Sequence, residues 1–214
     1  MSNTLREVSV HHLRQHNRVA LVAGLAAFVL LLAVPASASA ASQRLGKGQA
    51  SFTLDPFFAT LVEATYPFYP VAPATFKFSI ATTPRTIMPV TGGTWNKGFS
   101  RGQFVLKGGL DYIHYTNGPL TLHQLAITAW HANVNTTTTG WTASTNGTRI
   151  LILDEDLTNA HITFPKIGGH KYVRVSNLKL TYDPMFLTTF ESVFGLVLTT
   201  PIPFGTGTVQ ARLK

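Results

Sequence analysis

Hydrophobic and polar residues alternate along most of the chain after residue 45, as they do in strands that bury one face. The segment from Thr75 to Ile80 shows this most cleanly, because Phe76, Phe78 and Ile80 fall on one side. The same pattern predicts further strands at 103–107, 110–115, 120–130, 149–153, 160–164, 171–182 and 206–212. The chain is therefore predicted to be mainly β.

Two of the longest predicted strands change phase part-way along their length. In 120–130 the apolar positions change parity near His123-Gln124, and in 171–182 they change near Ser176-Asn177. One extra residue at each place, a β-bulge, would return both halves of the strand to the core. Long bulged strands favour a curved antiparallel β-sandwich over a flat parallel sheet.

Two short helices are predicted at the ends of the sheets, and their sequences resemble each other. The segments 53–63 and 181–191 share Thr, Asp, Pro, Phe, Thr and Glu at one constant spacing. In each, Asp (Asp55 or Asp183) is placed to cap the helix, and Pro occupies the first helical position, where its missing N–H costs nothing. The repeat predicts either a duplicated binding element or two plugs that seal the core, and we favour the plugs.

The first forty residues carry a different pattern. Three arginines precede an unbroken apolar run from Val19 to Val34, and Pro35 and a series of alanines and serines follow. This order is typical of a secretory signal peptide, with cleavage after Ala40. The run is shorter than a membrane span requires, so no stable span is expected after cleavage.

Cleavage would leave residues 41–214 as a single β-rich domain, secreted and either extracellular or associated with the cell envelope. No sorting motif is recognised at the C-terminal end, so any attachment to the surface is expected to be non-covalent. The chain contains no cysteine, which fits a bacterial exported domain stabilised by packing alone.

After residue 40 the chain is basic, with 14 Lys and Arg against 8 Asp and Glu. These residues are scattered singly, and no block of basic residues interleaved with aromatics predicts nucleic-acid binding. A basic surface can still attract anionic envelope polymers. The partners expected are therefore a cell-envelope polymer or a small apolar ligand, with no nucleic acid, and the oligomeric state stays open.

No motif for a catalytic nucleophile, a phosphate-binding loop or a zinc protease is present in the sequence. The acidic cluster Asp154-Glu155-Asp156 predicts a solvated loop after a strand more readily than a Ca²⁺ site. The five histidines after residue 40 do not form a close pair on one short element, so no metal site is predicted. A secreted hydrolase, the least favoured function, would have to draw its acid and base from Asp111, Asp154, Asp156, Asp183 and Glu191.

Three residues are the candidate ligand-binding residues. Tyr66 and Tyr69 lie in a proline-flanked aromatic segment, which either lines an apolar cleft or caps the core. His114 shares its parity with Tyr112, so it is predicted to face a half-buried surface beside an aromatic ring.

Several stretches resemble the HtaA-like domain of exported actinobacterial proteins. They are GGLDYIHYTNGPLTLHQLAITAW, GWTASTNGTRILILDEDL and YVRVSNLKLTYDPMFLTTFESVFG. The stretch from Phe52 to Pro56, with Phe68 to Ala74, also resembles uncharacterised secreted proteins that begin LTLDP. The resemblance implies a β-rich domain with a short helix, and in some members a haem-binding role at the cell surface.

In that family a tyrosine in the N-terminal helix region holds the haem iron, and a histidine near the Gly-flanked turn supports it. Here the predicted helix lacks tyrosine, and Tyr66 and Tyr69 follow it; His114 lies two residues before the turn. We therefore expect a non-enzymatic binding or cell-surface module without a resident cofactor. The alternative is an extracellular carrier of haem or another hydrophobic ligand.

Overall fold

A computed structural model describes residues 41–56, 68–79, 82–115, 122–136, 140–195, 197–198 and 201–214. Ser42–Lys214 forms one compact unit. The described residues form thirteen strands, one 3-10 helix and one α-helix, in this order: β1 (Gln43–Leu54), β2 (Phe68–Val71), β3 (Thr75–Ser79), β4 (Thr82–Asn96), η1 (Lys97–Phe99), β5 (Arg101–Leu106), β6 (Gly109–Tyr115), β7 (Leu122–Val134), β8 (Gly140–Thr145), β9 (Thr148–Asp156), β10 (His161–Thr163), β11 (Lys166–Ile167), β12 (His170–Tyr182), α1 (Pro184–Phe194) and β13 (Pro203–Leu213). The prediction of a mainly β protein is confirmed.

The sheet closes on itself, which corrects the predicted sandwich. Within the described residues, eight antiparallel strands pair in the order β7-β5-β4-β1-β13-β12-β9-β8, and β8 pairs back to β7. The strands β2, β3, β6, β10 and β11 attach to this ring from outside the closed path. Closure is possible because the long strands bend and each pairs with neighbours on both sides, so two separate packed sheets are not needed.

The interior of the ring is filled by large aromatic and aliphatic side chains. Phe52 lies at its centre, with ring centroids 4.7 Å from Trp141, 6.1 Å from Trp130 and 5.4 Å from Phe204. All four side chains are fully buried. Such aromatic contacts add to the free energy of burial, so the core needs no disulfide to be stable.

Of the two predicted helices, the structure describes one. Asp183 caps α1 as expected: its Oδ1 accepts hydrogen bonds from the backbone N–H of Met185 at 2.9 Å and of Phe186 at 3.3 Å. Gly195 ends the helix in the left-handed region at φ 71°. The other predicted helix, 56–65, lies outside the described residues except for Pro56, so the feature of two capped helices is not supported.

The helix α1 seals one end of the core. It presents four buried side chains to the interior, Phe186, Leu187, Phe190 and Phe194. Phe186 stacks on Tyr182 with centroids 5.4 Å apart, and Phe190 meets Tyr112 edge-on at 5.3 Å. These contacts join β6, β12 and the helix at the same end of the ring.

One of the two predicted bulges is confirmed and the other is misplaced. The register of β12 shifts between Val175 and Leu178, and Asn177 there has a positive φ of 59°. In β7 the pairing with β6 is regular through His123, and the shift comes later, between Thr128 and His131.

Candidate functional site

The candidate ligand-binding surface is the face of the β6–β7 hairpin that continues the core, here called the inner hairpin face. It consists of Tyr112, His114 and His123 on the hairpin, together with Phe68 from β2 and Phe76 from β3. Phe68 lies opposite Tyr112 in the pairing of β2 with β6, and their ring centroids are 5.3 Å apart. Phe76, from β3, meets Phe68 edge-on at 5.1 Å. An aromatic cluster therefore borders the half-buried His114 and His123.

Tyr112 has a structural role on this face. Its hydroxyl lies 2.6 Å from the hydroxyl of Tyr182, and both side chains are buried. Burial raises the pKa of Tyr112 well above its usual range, and it raises the pKa of Tyr182 likewise. Both phenols stay protonated at neutral pH, so this pair ties β6 to β12 and does not supply a phenolate ligand.

The structure separates two of the predicted site residues. Tyr69 lies opposite Asp111, and β2 pairs with β6 in regular register, so Tyr69 points away from the inner hairpin face. Its side chain is 54% exposed. His114 lies on the inner hairpin face, two residues after Tyr112. Tyr66 lies outside the described residues.

The sequence did not single out His123. It lies directly opposite His114 in the antiparallel register of β6 and β7, so the two imidazoles share one face. Asn117-Gly118-Pro119 favours a turn centred on Gly118. Folding the two predicted strands about that turn would have placed His114 opposite Leu122, one position away from His123.

Glu155 lies in a strand, and not in the solvated loop that the sequence predicted for it. The residues Asp154-Glu155-Asp156 belong to β9 and not to a solvated loop, so alternate side chains point to opposite faces. Glu155 lies opposite the buried Leu180 and points inward. Neither carboxylate oxygen accepts a hydrogen bond from a described residue, and the buried indole N–H of Trp141 is also without a partner there.

Burial raises the pKa of Glu155 to about 7. The backbone N–H groups of Asn135 and Gly140 and the indole of Trp141 face the carboxylate and oppose this rise. None of these N–H groups has hydrogen-bonding geometry toward a carboxylate oxygen of Glu155, so desolvation is the largest effect on its pKa.

Most of the remaining carboxylates serve local structure. Asp111 accepts a hydrogen bond from Gln124 at 2.6 Å, and Glu191 accepts one from the backbone N–H of Leu198 at 2.6 Å. Asp183 caps α1, and Asp156 accepts from the backbone N–H of Thr158 at 2.8 Å. Across the described ranges, no group of three or more His, Cys, Asp or Glu is placed to hold a metal ion.

The register also aligns basic residues that are far apart in sequence. A row of outward-facing residues crosses five strands, here called the basic row: Lys77, Arg85, Thr53, Thr206 and Lys179. Arg85 donates a hydrogen bond to Ser51 at 2.6 Å. Beside the row lies a groove of about 470 Å³, whose lining includes Thr53, Lys179 and Thr206.

The sequence matches no protein-family model, and no curated protein matches it. A solved structure does match: the C-terminal domain of HtaA from Corynebacterium glutamicum, with a TM-score of 0.55 and 10% sequence identity. The match covers 80% of this chain and 99% of that domain. The chain has an HtaA-like fold.

At this low identity the likeness establishes the HtaA-like fold and no more. The expected fold is thereby supported, whereas membership of the family and its haem-binding role are not. In the part of the chain that the structure describes, no helix is both long and apolar enough to cross a membrane.

Proposed function

We propose that this chain is a secreted, non-enzymatic binding module with an HtaA-like fold, which acts at or outside the cell envelope. Its ligand is small and apolar, haem being the first candidate, and it binds at the inner hairpin face. The observation that carries the proposal is the aromatic cluster of Phe68, Phe76 and Tyr112 beside His114. Apolar ligand sites combine such surfaces with a few placed polar groups.

The test is a haemin titration of protein collected from the medium of an expressing host. We expect a saturable change in the Soret band. His114→Ala should weaken it, because His114 faces the aromatic cluster. Tyr69→Phe should leave it unchanged, because Tyr69 points to the opposite face. Tyr66→Phe tests whether Tyr66, the other tyrosine among the candidate ligand-binding residues, contributes to haemin binding.

Two results would count against this site. Absence of a saturable Soret change would remove haem as the ligand. Saturable binding that His114→Ala leaves intact, and that Tyr69→Phe abolishes, would move the site to the opposite face of β2. His161→Ala is the matched control. His161 is exposed, and removing its side chain leaves the inner hairpin face intact.

A second partner is favoured by the basic row. Lys77, Arg85 and Lys179 project from one face, with two threonine hydroxyls between them, and this arrangement suits a linear anionic envelope polymer. Asp156 lies next to Lys179 and limits the positive charge at that end of the row.

Binding to purified anionic wall polymer should fall as salt rises, because exposed charges are screened. The triple variant Lys77→Gln, Arg85→Gln, Lys179→Gln should lose most of the binding. The matched control is Lys107→Gln, Lys166→Gln, Lys171→Gln, which also removes three positive charges but none from the basic row. Equal losses in both variants would show that net charge matters and the row does not.

A further inference from the structure

The two histidines of the inner hairpin face lie in a geometry that the proposed function does not require. His114 and His123 are direct partners in the β6–β7 register, and the pair before them, Tyr112 and Leu125, is buried on the same face. The Cβ atoms of such directly opposed residues are about 4.5–5.5 Å apart. Both imidazoles are therefore held side by side at the border between core and solvent.

Two imidazoles at this separation suit a transition-metal ion. Zn²⁺ binds histidine nitrogens at about 2.0–2.1 Å, so a tetrahedral ion needs two nitrogens roughly 3.3 Å apart. Side chains from opposed strand positions reach that distance by rotation of χ1 and χ2 alone. The pairing of β6 with β7 fixes the two backbones relative to each other, which lowers the entropy that metal binding would otherwise cost.

We propose that His114 and His123 form an open two-histidine site for a divalent transition metal, Zn²⁺, Ni²⁺ or Cu²⁺. The protein supplies two ligands, and water or an exogenous ligand completes the coordination. Imidazole is a ligand that all three ions accept. The nearest carboxylate on β6, Asp111, points to the opposite face and accepts a hydrogen bond from Gln124, so it does not complete the site.

This metal site goes beyond the proposed function, since the metal binds without any apolar ligand. The His114–His123 pair also gives this face two nitrogen donors, which an ordinary aromatic surface lacks. A metal with open coordination positions can accept a donor atom from a third molecule, so the site suits capture of a metal complex as well as of the bare ion.

The test is a titration of the secreted protein with Zn²⁺ and Ni²⁺, without haemin, followed by the melting temperature. Because a ligand that binds only the folded state stabilises it, we expect a saturable rise in melting temperature. His114→Asn and His123→Asn should each weaken the affinity at least about tenfold. His161→Asn and His170→Asn, both exposed and located on β10 and β12, are the matched controls and should respond as the unaltered protein does.

Electron paramagnetic resonance of the Cu²⁺-loaded unaltered protein gives a readout that depends on no variant. We expect hyperfine coupling to two imidazole nitrogens, and coupling to one in His123→Asn. The proposal is overturned if the melting temperature does not rise, if the control variants lose the response, or if the spectrum shows a single nitrogen in the unaltered protein. A negative haemin titration would leave these outcomes unaffected, so the two proposals fail separately.

Discussion

At the scale of single residues, the inward-pointing Glu155 is the group most at odds with its surroundings. A strand places every second side chain on the core side, so the acidic sequence Asp154-Glu155-Asp156 necessarily directs at least one carboxylate inward. Removing a carboxylate from water without hydrogen bonds favours its neutral form. The folded state therefore holds a proton on Glu155 at a pH where the unfolded chain has released it.

Because of this proton, the stability of the fold decreases as the pH rises. The pKa of Glu155 is about 7 in the fold against an ordinary 4.5, so its contribution is fully present below pH 4.5 and is lost as pH rises through about 7. We expect the free energy of unfolding to fall by about 3 kcal/mol over this range. Denaturant unfolding at several pH values measures the change.

The variant Glu155→Gln should flatten that dependence, because its side chain has no charge to bury. Its stability should exceed that of the unaltered protein most clearly near pH 8. Asp156→Asn is the matched control: this neighbour is exposed, and hydrogen bonds from Thr158 lower its pKa. A Glu155→Gln profile that still falls between pH 4.5 and 7 would refute this explanation.

At the scale of elements, the cap of α1 is the contact most open to a simple test. Asp183→Ala removes the two hydrogen bonds to the first turn while leaving the backbone N–H of Asp183 bonded to Ile152. We expect a loss of about 1 kcal/mol in the free energy of unfolding. Asp183→Asn, which keeps an accepting oxygen, should recover most of it, and equal losses in both would mean that charge and not capping is responsible.

The elements also show what the sequence could predict. The bulge in β12 was accessible because the apolar parity reverses at Ser176-Asn177, and asparagine tolerates a positive φ. The bulge in β7 was misplaced because Leu122 was taken as a core residue, whereas it is 49% exposed. The irregularity instead occurs beside Ala129, which has a positive φ of 53°. Alanine is not a residue type that predicts a positive φ, so the sequence did not indicate this position.

The pairing of β6 with β7 could be predicted from the sequence, but its register could not, because a turn centred on Gly118 would place His114 opposite Leu122 and not His123. The closure of the ring was not within reach. It depends on pairs such as β1 with β13 and β9 with β12, whose register is set by packing in three dimensions. The inward direction of Glu155 depends in turn on that register.

At the scale of the whole molecule, the proposed export determines where ligand binding and polymer binding would take place. The prediction is cleavage after Ala40, so that the protein in the culture medium begins at Ala41. N-terminal sequencing of that protein measures this directly. A matched variant, Ala38→Leu with Ala40→Leu, should block cleavage by filling the small-residue positions. Protein that stays in the cytosol with residue 1 intact would contradict the prediction.

The pairing of β1 with β13 also sets the order of events when the chain folds. Leu45 lies opposite Leu213, so the ring closes only after almost the entire sequence has become available. Contacts between such distant positions make folding slow, because a long loop must close before they form. Because β13 completes the ring, we expect a chain that lacks it to remain incompletely folded, as a chain that crosses a membrane in extended form must.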